Sequence, residues 1–315
     1  MSAFGEKSTA DEVLADKDLS GKTVFVTGGN SGLGQETGRA MAVRGAHVVL
    51  AGRDSAKLDA AVAAIKVEHP DAKLETIICD LGSLESVRAC GAEANARFAK
   101  IDLLINNAGV MACPFSHTAD GFEMQFGTNH LGHFALTKHL LPLIEKGENK
   151  RIVNLSSRGH HFAPVDLDDL HFERREYDPW ISYGQAKTAN ILFSVGLEQR
   201  FAARGIHAYA VHPGGIQTNL GRHLTEEMIA ALMERVSRGT GEFSWKTIPQ
   251  GAATSCWAAT ADVVEGRGGV YCEDCHVAAM DDTSSEGGVR SYALDPAIAK
   301  ALWAKSEQMT GEAFA

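Results

Sequence analysis

The chain has 315 residues, a length that one large α/β unit can reach. Hydrophobic residues make up 44% of it and charged residues 22%, a balance that is typical of a globular protein with a sizeable core. The net charge of −10 argues against nucleic acid or an anionic membrane as the main partner, and no apolar stretch approaches the roughly 18 residues of a membrane-spanning helix.

The first 20 residues are polar and acidic and lack the apolar core of a signal peptide, so we predict that 1–20 form an N-terminal arm. Six cysteines are scattered over the rest of the chain. This usage favours reduced thiols in a cytoplasmic protein over a disulfide framework. The cysteines are Cys79, Cys90, Cys113, Cys256, Cys272 and Cys275.

From Lys22 onward, short runs rich in β-branched residues alternate with longer amphipathic stretches. Such alternation is typical of βαβ units, in which helices cover both faces of a parallel sheet. We therefore predict an α/β fold with a doubly wound, mainly parallel sheet of seven strands. The predicted strands are Thr23–Thr27, His47–Ala51, Leu74–Cys79, Leu103–Asn106, Ile152–Leu155, His207–Val211 and Gly269–Tyr271. The predicted helices are Leu33–Arg44, Ala56–His69, Leu84–Phe98, Thr118–Ile144, Ser182–Arg204 and Gln250–Ala259.

Residues 21–285 contain no internal repeat or low-complexity linker, so we predict a single domain there and a C-terminal tail with a short helix at 286–315. The segment 219–249 breaks the alternation of strands and helices. One interpretation is an amphipathic helix packed on the body, and another is a lid over a substrate cleft; both can hold together. The apolar residues at helical spacing are Leu224, Met228, Leu232 and Val236.

A glycine-rich segment, Thr27–Gly34, directly follows the first predicted strand and precedes the first long predicted helix. Glycines in this place allow a tight turn and let main-chain N–H groups approach a pyrophosphate at the positive end of the helix. An ordinary glycine-rich turn is the alternative, but the position between this strand and this helix favours dinucleotide binding. The predicted cofactor residues of the turn are Gly28, Asn30, Ser31, Gly32, Leu33 and Gly34.

The end of the second predicted strand indicates which dinucleotide binds. An acidic residue there accepts hydrogen bonds from the adenosine ribose of NAD, whereas this chain has Gly52 followed by Arg53. A guanidinium can pair with the 2′-phosphate of NADP, so we predict that NADP (NADPH) is preferred over NAD. A solvated surface arginine, or one that the neighbouring Asp54 engages, is the alternative.

Further polar and small residues follow later predicted strands, at the carboxyl ends where open α/β sheets bind their ligands. Asp80 is placed to meet the adenine amino group, and Thr218 is a candidate for binding the nicotinamide carboxamide. Small residues after the fourth strand let the backbone pass close to a ribose. The predicted cofactor residues of this set are Asp80, Leu81, Asn107, Ala108, Gly109, Pro213, Gly214, Ile216 and Thr218.

Tyr183 and Lys187 stand four residues apart in a predicted helix, so they project from one face about one turn apart. A free tyrosine titrates near about pH 10, and a nearby cation favours the phenolate and lowers that pKa. Ser156 and Ser157 follow a predicted strand upstream. Serines after a strand and a Tyr-x-x-x-Lys pair on the next helix together suggest acid–base chemistry on an oxygen.

These motifs together resemble the short-chain dehydrogenase/reductase family over 21–311. The chain is most similar to the branch that includes the WW-domain-containing oxidoreductase and the retinol dehydrogenases, although we expect neither WW domains nor a membrane anchor in it. The resemblance implies a Rossmann-type fold and makes a homodimer possible through the helices predicted at Thr118–Ile144 and Ser182–Arg204. The segments that carry the closer similarity are Leu19–Lys22, Asn129–Phe134, Tyr183–Phe193, Val211–Gly214 and Gln250–Ala253.

By this resemblance the catalytic residues are Asn129, Ser157, Tyr183 and Lys187. Tyr183 would exchange a proton with the substrate oxygen while hydride moves to or from the nicotinamide, and Ser157, rather than Ser156, would hold that oxygen. Lys187 would lower the Tyr183 pKa and bind the nicotinamide ribose. Asn129 would position a water that relays protons towards Lys187.

Apolar residues around the predicted pocket suggest a bulky hydrophobic alcohol or ketone as the small-molecule partner. Met111 and Phe162 are the candidate apolar contacts, beside Ser157 and Tyr183, and the stretch 160–180, longer than is usual for the family, is expected to line the pocket entrance. We therefore predict an NADP-dependent oxidoreductase that acts on CH–OH groups, with no nucleic acid or membrane as partner.

Two other function classes stay open at this point. The segment 118–123 and the Asn129 motif also resemble the light-dependent protochlorophyllide reductases, which reduce a carbon–carbon double bond, and a non-catalytic nucleotide-binding sensor is the other class. The run Cys272-Glu-Asp-Cys275-His276 matches a c-type haem attachment pattern, but such attachment needs export and no signal peptide is evident. We predict no metal site, because no second pair of ligands has suitable spacing.

Overall fold

The computed structural model describes residues 3–222, 224, 225, 227, 228 and 245–314, and a parallel sheet lies at its centre. Its strands are β1 (Thr23–Thr27), β2 (His47–Gly52), β3 (Lys73–Ile78), β4 (Leu103–Asn106), β5 (Lys150–Leu155), β6 (Ile206–His212), β7 (Val270–Glu273) and β8 (His276–Val277). Along the sheet they follow the order β3-β2-β1-β4-β5-β6-β7-β8. Strands β1 to β7 are parallel, and β8 pairs antiparallel with β7.

This order confirms the predicted doubly wound α/β sheet. The chain moves outward from β1 to β3 and then returns to the middle to start β4 beside β1. Ligands of such sheets bind outside the carboxyl ends of the strands at this reversal. The two-residue β8 is an addition to the seven predicted strands, since a run of two residues gives no periodic signal in the sequence.

Helices cover both faces of the sheet. They are α1 (Ala10–Val13), α2 (Gly32–Val43), α3 (Ser55–Glu68), α4 (Leu84–Arg97), α5 (Met124–Phe126), α6 (Gly132–Ile144), α7 (Pro179–Phe201), α8 (Ile248–Thr260) and α9 (Pro296–Thr310), with a π-helical turn at Gly127–Leu131 joining α5 to α6. Within the described part of the chain, none of these helices has the length and apolarity that crossing a bilayer requires.

Strand β1 shows how the sequence builds the two layers, because its side chains alternate between the faces. Val24 and Val26 are fully buried in the core that includes residues of α2 and α8. Phe25, between them, is fully buried in the opposite core with residues of α4, α6 and α7. Every side chain of β1 is thus covered, as expected for a central strand of a parallel sheet.

The helix predicted at Thr118–Ile144 begins later than the sequence pattern suggested. Residues 118–123 form a turn in which Gly121 has a φ of +84°, and the first helical residue is Met124. Glu123 caps this helix by accepting hydrogen bonds from the Gln125 and Phe126 main-chain N–H groups at 3.0 and 2.7 Å. The apolar spacing was right, but a glycine in the left-handed region interrupts the helix it predicted.

The C-terminal segment contains a helix of 15 residues, longer than the short helix predicted there. Trp303 of α9 is buried, with its ring centroid 5.0 Å from that of Phe134 on α6 and 5.7 Å from that of Phe193 on α7. The Arg200 guanidinium lies 4.0 Å from the Trp303 ring centroid. The face of α6 and α7 that points away from the sheet is therefore covered by the chain's own C-terminal helix.

The candidate lid at 219–249 is only partly described. Asn219–Gly221 form one turn of 3-10 helix, while Leu232 and Val236 lie outside the described residues. The helical spacing predicted for this segment stays a prediction.

Candidate active site

The glycine-rich turn between β1 and α2 leaves little or no room for a side chain at three of its glycines, Gly28, Gly29 and Gly34. A Cβ at Gly34 would overlap the Asn107 side-chain nitrogen and the main-chain oxygen of Gly28. Gly28 has a φ of +67°, and a Cβ there would lie 3.0 Å from the Ala108 Cα. The turn therefore packs directly on the residues that follow β4.

The N-terminus of α2 opens on a cleft. Its N-cap residue, Ser31, makes no capping hydrogen bond with its side chain, so the first main-chain N–H groups of α2 have no partner from that residue. A cleft of about 400 Å³ lies beside this helix end. Its lining residues are Gly32, Gln217, Thr218, Asn219 and Ile248. Free N–H groups at a helix N-terminus are suited to an anionic group such as a pyrophosphate.

Two residues predicted to bind cofactor hold the helices around this cleft together. Leu33 of α2 and Ile216 after β6 both approach Gly251 of α8, where an added Cβ would lie 2.6 Å from Leu33 Cδ2 and 2.7 Å from Ile216 Cγ1. Gly214 has a φ of +99° and faces the Lys246 side chain, which forms an ion pair with Asp274. Gly214 follows Pro213, so this part of the loop is fixed by its backbone geometry and by Lys246.

Strands β1 and β4 are locked to each other at the sheet's reversal. The Asn107 side chain donates to the Thr27 carbonyl oxygen at 2.8 Å. The Thr27 hydroxyl oxygen accepts from the main-chain N–H groups of Asn107 and Ala108 at 2.9 and 3.0 Å. The neighbouring Asn106 instead bonds Asn154 of β5 at 2.8 Å, so the two asparagines lock β4 to a strand on each side.

Arg53 is exposed at the end of β2 and forms no hydrogen bond or ion pair with any described residue. Asp54, which was considered as its partner, instead caps α3 by accepting from the Lys57 N–H at 3.1 Å and pairs with the Lys57 ammonium at 3.3 Å. Asn30 of the glycine-rich turn lies close to Gly52, with its Oδ1 3.4 Å from where a Cβ of Gly52 would stand. The guanidinium is therefore available to an anion at the end of β2.

Asp80 and Leu81 follow β3. The Asp80 carboxylate accepts from the Gly82 N–H at 2.9 Å, which leaves a second carboxylate oxygen. Leu81 is buried, and an added Cβ at Gly132 of α6 would lie 2.9 Å from the Leu81 Cβ. The chain after β3 is thereby held against the start of α6.

Ser157 and Tyr183 meet beyond the carboxyl end of β5. The buried Tyr183 and the Ser157 hydroxyl lie close together, because an added Cβ at Gly159 would lie 2.8 Å from the Tyr183 ring and 3.4 Å from the Ser157 Oγ. Ser156 points elsewhere, since its hydroxyl donates to the Lys187 carbonyl oxygen at 2.9 Å. Of the two serines, only Ser157 is within reach of the phenol.

Lys187 lies one turn further along α7, with its ammonium 5.5 Å from the centroid of the Tyr183 ring and donating to the Leu155 carbonyl oxygen at 2.9 Å. Burial lowers the pKa of Lys187 to about 8. Burial also raises the pKa of Tyr183 to about 12, against the opposing effect of its hydrogen bond with Ser157. We predicted that Lys187 lowers the Tyr183 pKa. In the structure without a bound cofactor, burial of the phenol raises this pKa and outweighs any such effect of Lys187.

Asn129 sits in the π-helical turn and is fully buried. Its side-chain oxygen accepts from the Val110 N–H at 2.8 Å, and its side-chain nitrogen donates to the Val110 carbonyl oxygen at 2.9 Å. Its side chain therefore holds the loop after β4. An added Cβ at Gly109 would lie 3.0 Å from the Asn129 Oδ1 and 3.8 Å from the Lys187 Nζ, so these groups surround Gly109.

His133 is a supporting residue that the sequence argument did not assign. Its Nδ1 bonds the Asn129 carbonyl oxygen at 2.9 Å, and its Nε2 bonds the Thr27 hydroxyl at 2.9 Å. Burial lowers the pKa of His133 to about 4, so the ring is neutral and its Nε2 accepts from Thr27. The spacing Asn129-x-x-x-His133 was the available signal, because it puts both residues on one helix face.

Two aromatic rings stand near the Tyr183 ring. The Phe162 and Trp180 ring centroids are 5.8 Å apart, and those of Trp180 and Tyr183 are 6.5 Å apart. Met111, half-buried, directly follows the Val110 that Asn129 holds. Phe162 and Trp180 thus give the space next to the Tyr183 ring an apolar border on one side.

The two cysteines of the Cys-x-x-Cys-His run, and His160 near the active site, lie in surroundings that are typical of residues with a structural role. Cys272 on β7 and Cys275 in the turn to β8 are buried free thiols, and His160 bonds the Ser157 carbonyl oxygen at 2.7 Å through Nδ1. In the part of the chain that the structure describes, no three His, Cys, Asp or Glu side chains are grouped in a way that could hold a metal ion.

The comparisons with known proteins agree with this geometry. The short chain dehydrogenase family profile matches residues 22–168. Short-chain dehydrogenase/reductase prx1 of Penicillium roqueforti is 39% identical over 316 residues, which cover 96% of this chain and 90% of that protein. Retinol dehydrogenase 14 of Mus musculus is 38% identical over 306 residues, which cover 93% of this chain and 87% of that protein.

A solved structure extends the match to the fold. An uncharacterised protein from Mycobacterium paratuberculosis superimposes with a TM-score of 0.74 and 36% identity, over 98% of both chains. The family resemblance stated from the motifs is therefore confirmed over nearly the whole chain.

Proposed function

Because this chain belongs to the short-chain dehydrogenase/reductase family, whose members are oxidoreductases, we propose that it interconverts a hydrophobic primary or secondary alcohol and its aldehyde or ketone, with NADP as the hydride carrier. The observation that carries the proposal is the Tyr183 phenol, which is buried beside the Ser157 hydroxyl with the Lys187 ammonium behind its ring. A phenol, a second hydroxyl and a cation around one point are suited to moving a proton on and off a substrate oxygen.

The residues around the cleft fit a nicotinamide dinucleotide. The N-terminus of α2 lacks a side-chain cap, Gly32 at this helix end lines the cleft, and Arg53 has no partner among the described residues. The first two features suit a pyrophosphate and the third suits a 2′-phosphate, which supports NADP over NAD. When bound, the nicotinamide ring would supply or accept the hydride.

In the reduction direction Tyr183 would donate its proton to the carbonyl oxygen. Its raised pKa means that the phenol is protonated at neutral pH and is ready to act as the acid. Ser157 would donate a hydrogen bond to the same oxygen and hold it in place. Lys187 uses one of its three N–H donors on the Leu155 carbonyl, which leaves donors for ribose hydroxyls.

In the oxidation direction Tyr183 would have to act as a base, and its burial then opposes the loss of the proton. A positive charge on Lys187 would favour the phenolate. Asn129 would contribute by holding Val110, and with it the backbone beside Lys187.

A hydrophobic substrate is supported by the apolar rings of Phe162 and Trp180 near the phenol, and we propose Met111 as a further apolar contact. The homodimer that the resemblance made possible would use a face of α6 and α7 that α9 covers here. We therefore propose that the chain acts without a partner on that face. The cytoplasmic location inferred from the thiols stays a prediction.

The proposal is tested with a panel of hydrophobic ketones and aldehydes, assayed in darkness for consumption of NADPH and, in parallel, of NADH. Turnover with NADPH and weaker turnover with NADH is expected. Turnover that requires light would point to carbon–carbon double-bond reduction instead. A protein that binds NADPH in a fluorescence titration but turns over no member of the panel would point to a sensor.

A further inference from the structure

Gln125 makes three hydrogen bonds that join separate parts of the chain. It is fully buried in α5, and its side-chain oxygen accepts from the Ala112 N–H at 2.8 Å. Its side-chain nitrogen donates to the Tyr177 hydroxyl and to the Pro179 carbonyl oxygen, both at 2.9 Å. One side chain thus connects the loop after β4, the stretch 160–180 at Tyr177, and the first turn of α7 at Pro179.

The contact with Pro179 reaches the reacting end of the site. Pro179 is the first residue of α7, and Tyr183 stands four residues later. In an α-helix, the carbonyl oxygen of one residue accepts from the N–H four residues on. Gln125 therefore donates to the same carbonyl group that fixes the main chain of Tyr183.

Tyr177 ties the same loop from the other side. Its hydroxyl hydrogen can reach the Cys113 carbonyl oxygen at 2.9 Å or the Glu123 carboxylate at 3.3 Å, while its oxygen accepts from Gln125. The fully buried Glu123 carboxylate is itself held by the two main-chain N–H groups that it caps. The polar groups of this network are thus satisfied by one another, as buried polar groups must be.

The loop 110–113 is anchored at three of its four residues. Val110 is bound by Asn129, the Ala112 N–H by Gln125 and the Cys113 carbonyl by Tyr177. Ala112 has a φ of +47°, a left-handed conformation that a residue with a side chain keeps only when its surroundings hold it. Met111, half-buried, lies between the anchors.

We propose that Gln125, with Glu123 and Tyr177, positions the loop 110–113 as a substrate-facing wall and couples it to the first turn of the Tyr183 helix. These are positioning residues: they act through the loop backbone and through Pro179, not by touching the reacting atoms. The inference rests on the proposed function for its substrate, but the network itself is independent of which ketone binds.

The test uses two variants that alter hydrogen bonding with little change of shape. Gln125→Glu keeps an acceptor for Ala112 but loses both donors and turns a carboxylate towards the Pro179 carbonyl oxygen. Tyr177→Phe removes only the hydroxyl and keeps the ring, which packs 5.0 Å from Phe115 and 5.1 Å from Phe172 between centroids. Glu176→Gln is the matched control, because Glu176 is exposed and has no partner among the described residues.

Steady-state kinetics distinguishes an effect on substrate binding, seen in KM, from an effect on the chemical step, seen in kcat. Both network variants are expected to raise the KM for a bulky ketone by about tenfold or more, while the Kd of NADPH changes by less than about threefold. The kcat is expected to be preserved in Tyr177→Phe, which leaves the Pro179 contact intact, and to fall in Gln125→Glu, which disturbs it. The control is expected to match the wild type. An unchanged KM in variants that still bind NADPH would overturn the proposal.

Hydrogen exchange gives a readout that needs no turnover. In a peptide spanning 108–116, the amide of Ala112 is expected to exchange faster in both network variants than in the wild type and the control. Unchanged exchange would also overturn the proposal. If Gln125→Glu does not fold, Tyr177→Phe decides by the same two readouts. Faster exchange in a protein whose wild type reduces no ketone would support the loop positioning while refuting the proposed function.

Discussion

The Lys187 ammonium lies 5.5 Å from the centroid of the Tyr183 ring, yet its hydrogen bond goes to the main chain of β5. The two side chains are close enough to influence each other, but both are buried, and burial disfavours the charged form of each. The pair is therefore arranged to keep the phenol protonated and to bring the lysine pKa down to about 8 in the chain alone. Each of these properties has a measurable consequence.

Tyr183→Phe keeps the ring packing and removes the transferable proton. If the phenol is the acid, kcat should fall by about 10²–10⁴-fold, the usual contribution of general acid–base catalysis, while the Kd of NADPH is preserved. Tyr209→Phe is the control, because Tyr209 is also fully buried but donates to the Val264 carbonyl oxygen at 2.7 Å, away from the site. A near wild-type kcat in Tyr183→Phe would exclude Tyr183 as the proton donor.

Arg53→Ala tests the preference for NADP. Loss of a hydrogen bond to a charged group should weaken NADPH binding by about 1.5–3 kcal/mol and leave NADH binding nearly unchanged. Fluorescence titration with both cofactors measures this difference directly. Lys57→Ala, which removes an equal charge four residues further along the chain, should have little effect on either cofactor. Equal losses for both cofactors in Arg53→Ala would contradict the assignment.

The features predicted correctly from the sequence are those that depend on nearby residues. The bounds of β1 were predicted without error, because an uninterrupted apolar run between a lysine and a glycine-rich turn can be read locally. The glycine-rich turn and the Tyr183–Lys187 spacing are equally local. The predicted start of the helix at Thr118 was wrong, because Gly121 adopts a left-handed conformation that apolar spacing does not reveal and the helix begins at Met124.

The features that the sequence could not supply depend on contacts between distant segments. Gln125 meets Tyr177 and Pro179 across more than 50 residues of chain, and neither residue stands in a recognisable motif with it. The pKa values of Tyr183 and Lys187 depend on burial, which is known only once α7 is packed against β5. The packing of α9 on α6 and α7 likewise depends on contacts between segments that are distant in the sequence.

Gly34→Ala tests the close contact between the glycine-rich turn and β4. The added methyl group would overlap Asn107 and the Gly28 carbonyl, so the turn must shift. We expect destabilisation of about 1–3 kcal/mol, as for overpacking in a core, together with weaker NADPH binding. Chemical unfolding and fluorescence titration measure the two effects. Gly5→Ala is the control, because a Cβ there meets nothing within 4 Å, and a similar loss in that variant would contradict the packing argument.

Trp303→Ala tests the role of the C-terminal helix. Removing a buried indole that packs on Phe134, Phe193 and Arg200 should destabilise the protein by about 3–5 kcal/mol. Lys300→Ala, at an exposed position of α9, should change stability by less than about 0.5 kcal/mol.

The same helix leads us to expect a monomer, because α9 occupies the face of α6 and α7 that a second copy would need. Light scattering of the purified wild-type protein measures this directly. A stable dimer whose contacts map to α6 and α7 would show that α9 does not block that face.

Lys187→Met tests the buried charge by its effect on stability, which a role in catalysis alone would not produce. The folded-state pKa is lowered from 10.5 to about 8, so the folded chain loses the proton before the unfolded chain does. The cost of burying the charge is therefore complete below about pH 8 and declines as the pH rises from about 8 towards 10.5.

Methionine carries no charge, and the Leu155 carbonyl would still accept from the Asn190 side chain at 2.9 Å. The variant should thus be more stable than the wild type near neutral pH by an amount on the order of 3–4 kcal/mol, counting about 1.4 kcal/mol per pKa unit, and the gap should narrow in alkaline buffer. Urea unfolding at several pH values measures the gap, with the exposed Lys66→Met as the control. A variant that is less stable than the wild type at neutral pH, or a gap that does not change with pH, would show that Lys187 is not held at a cost to the fold.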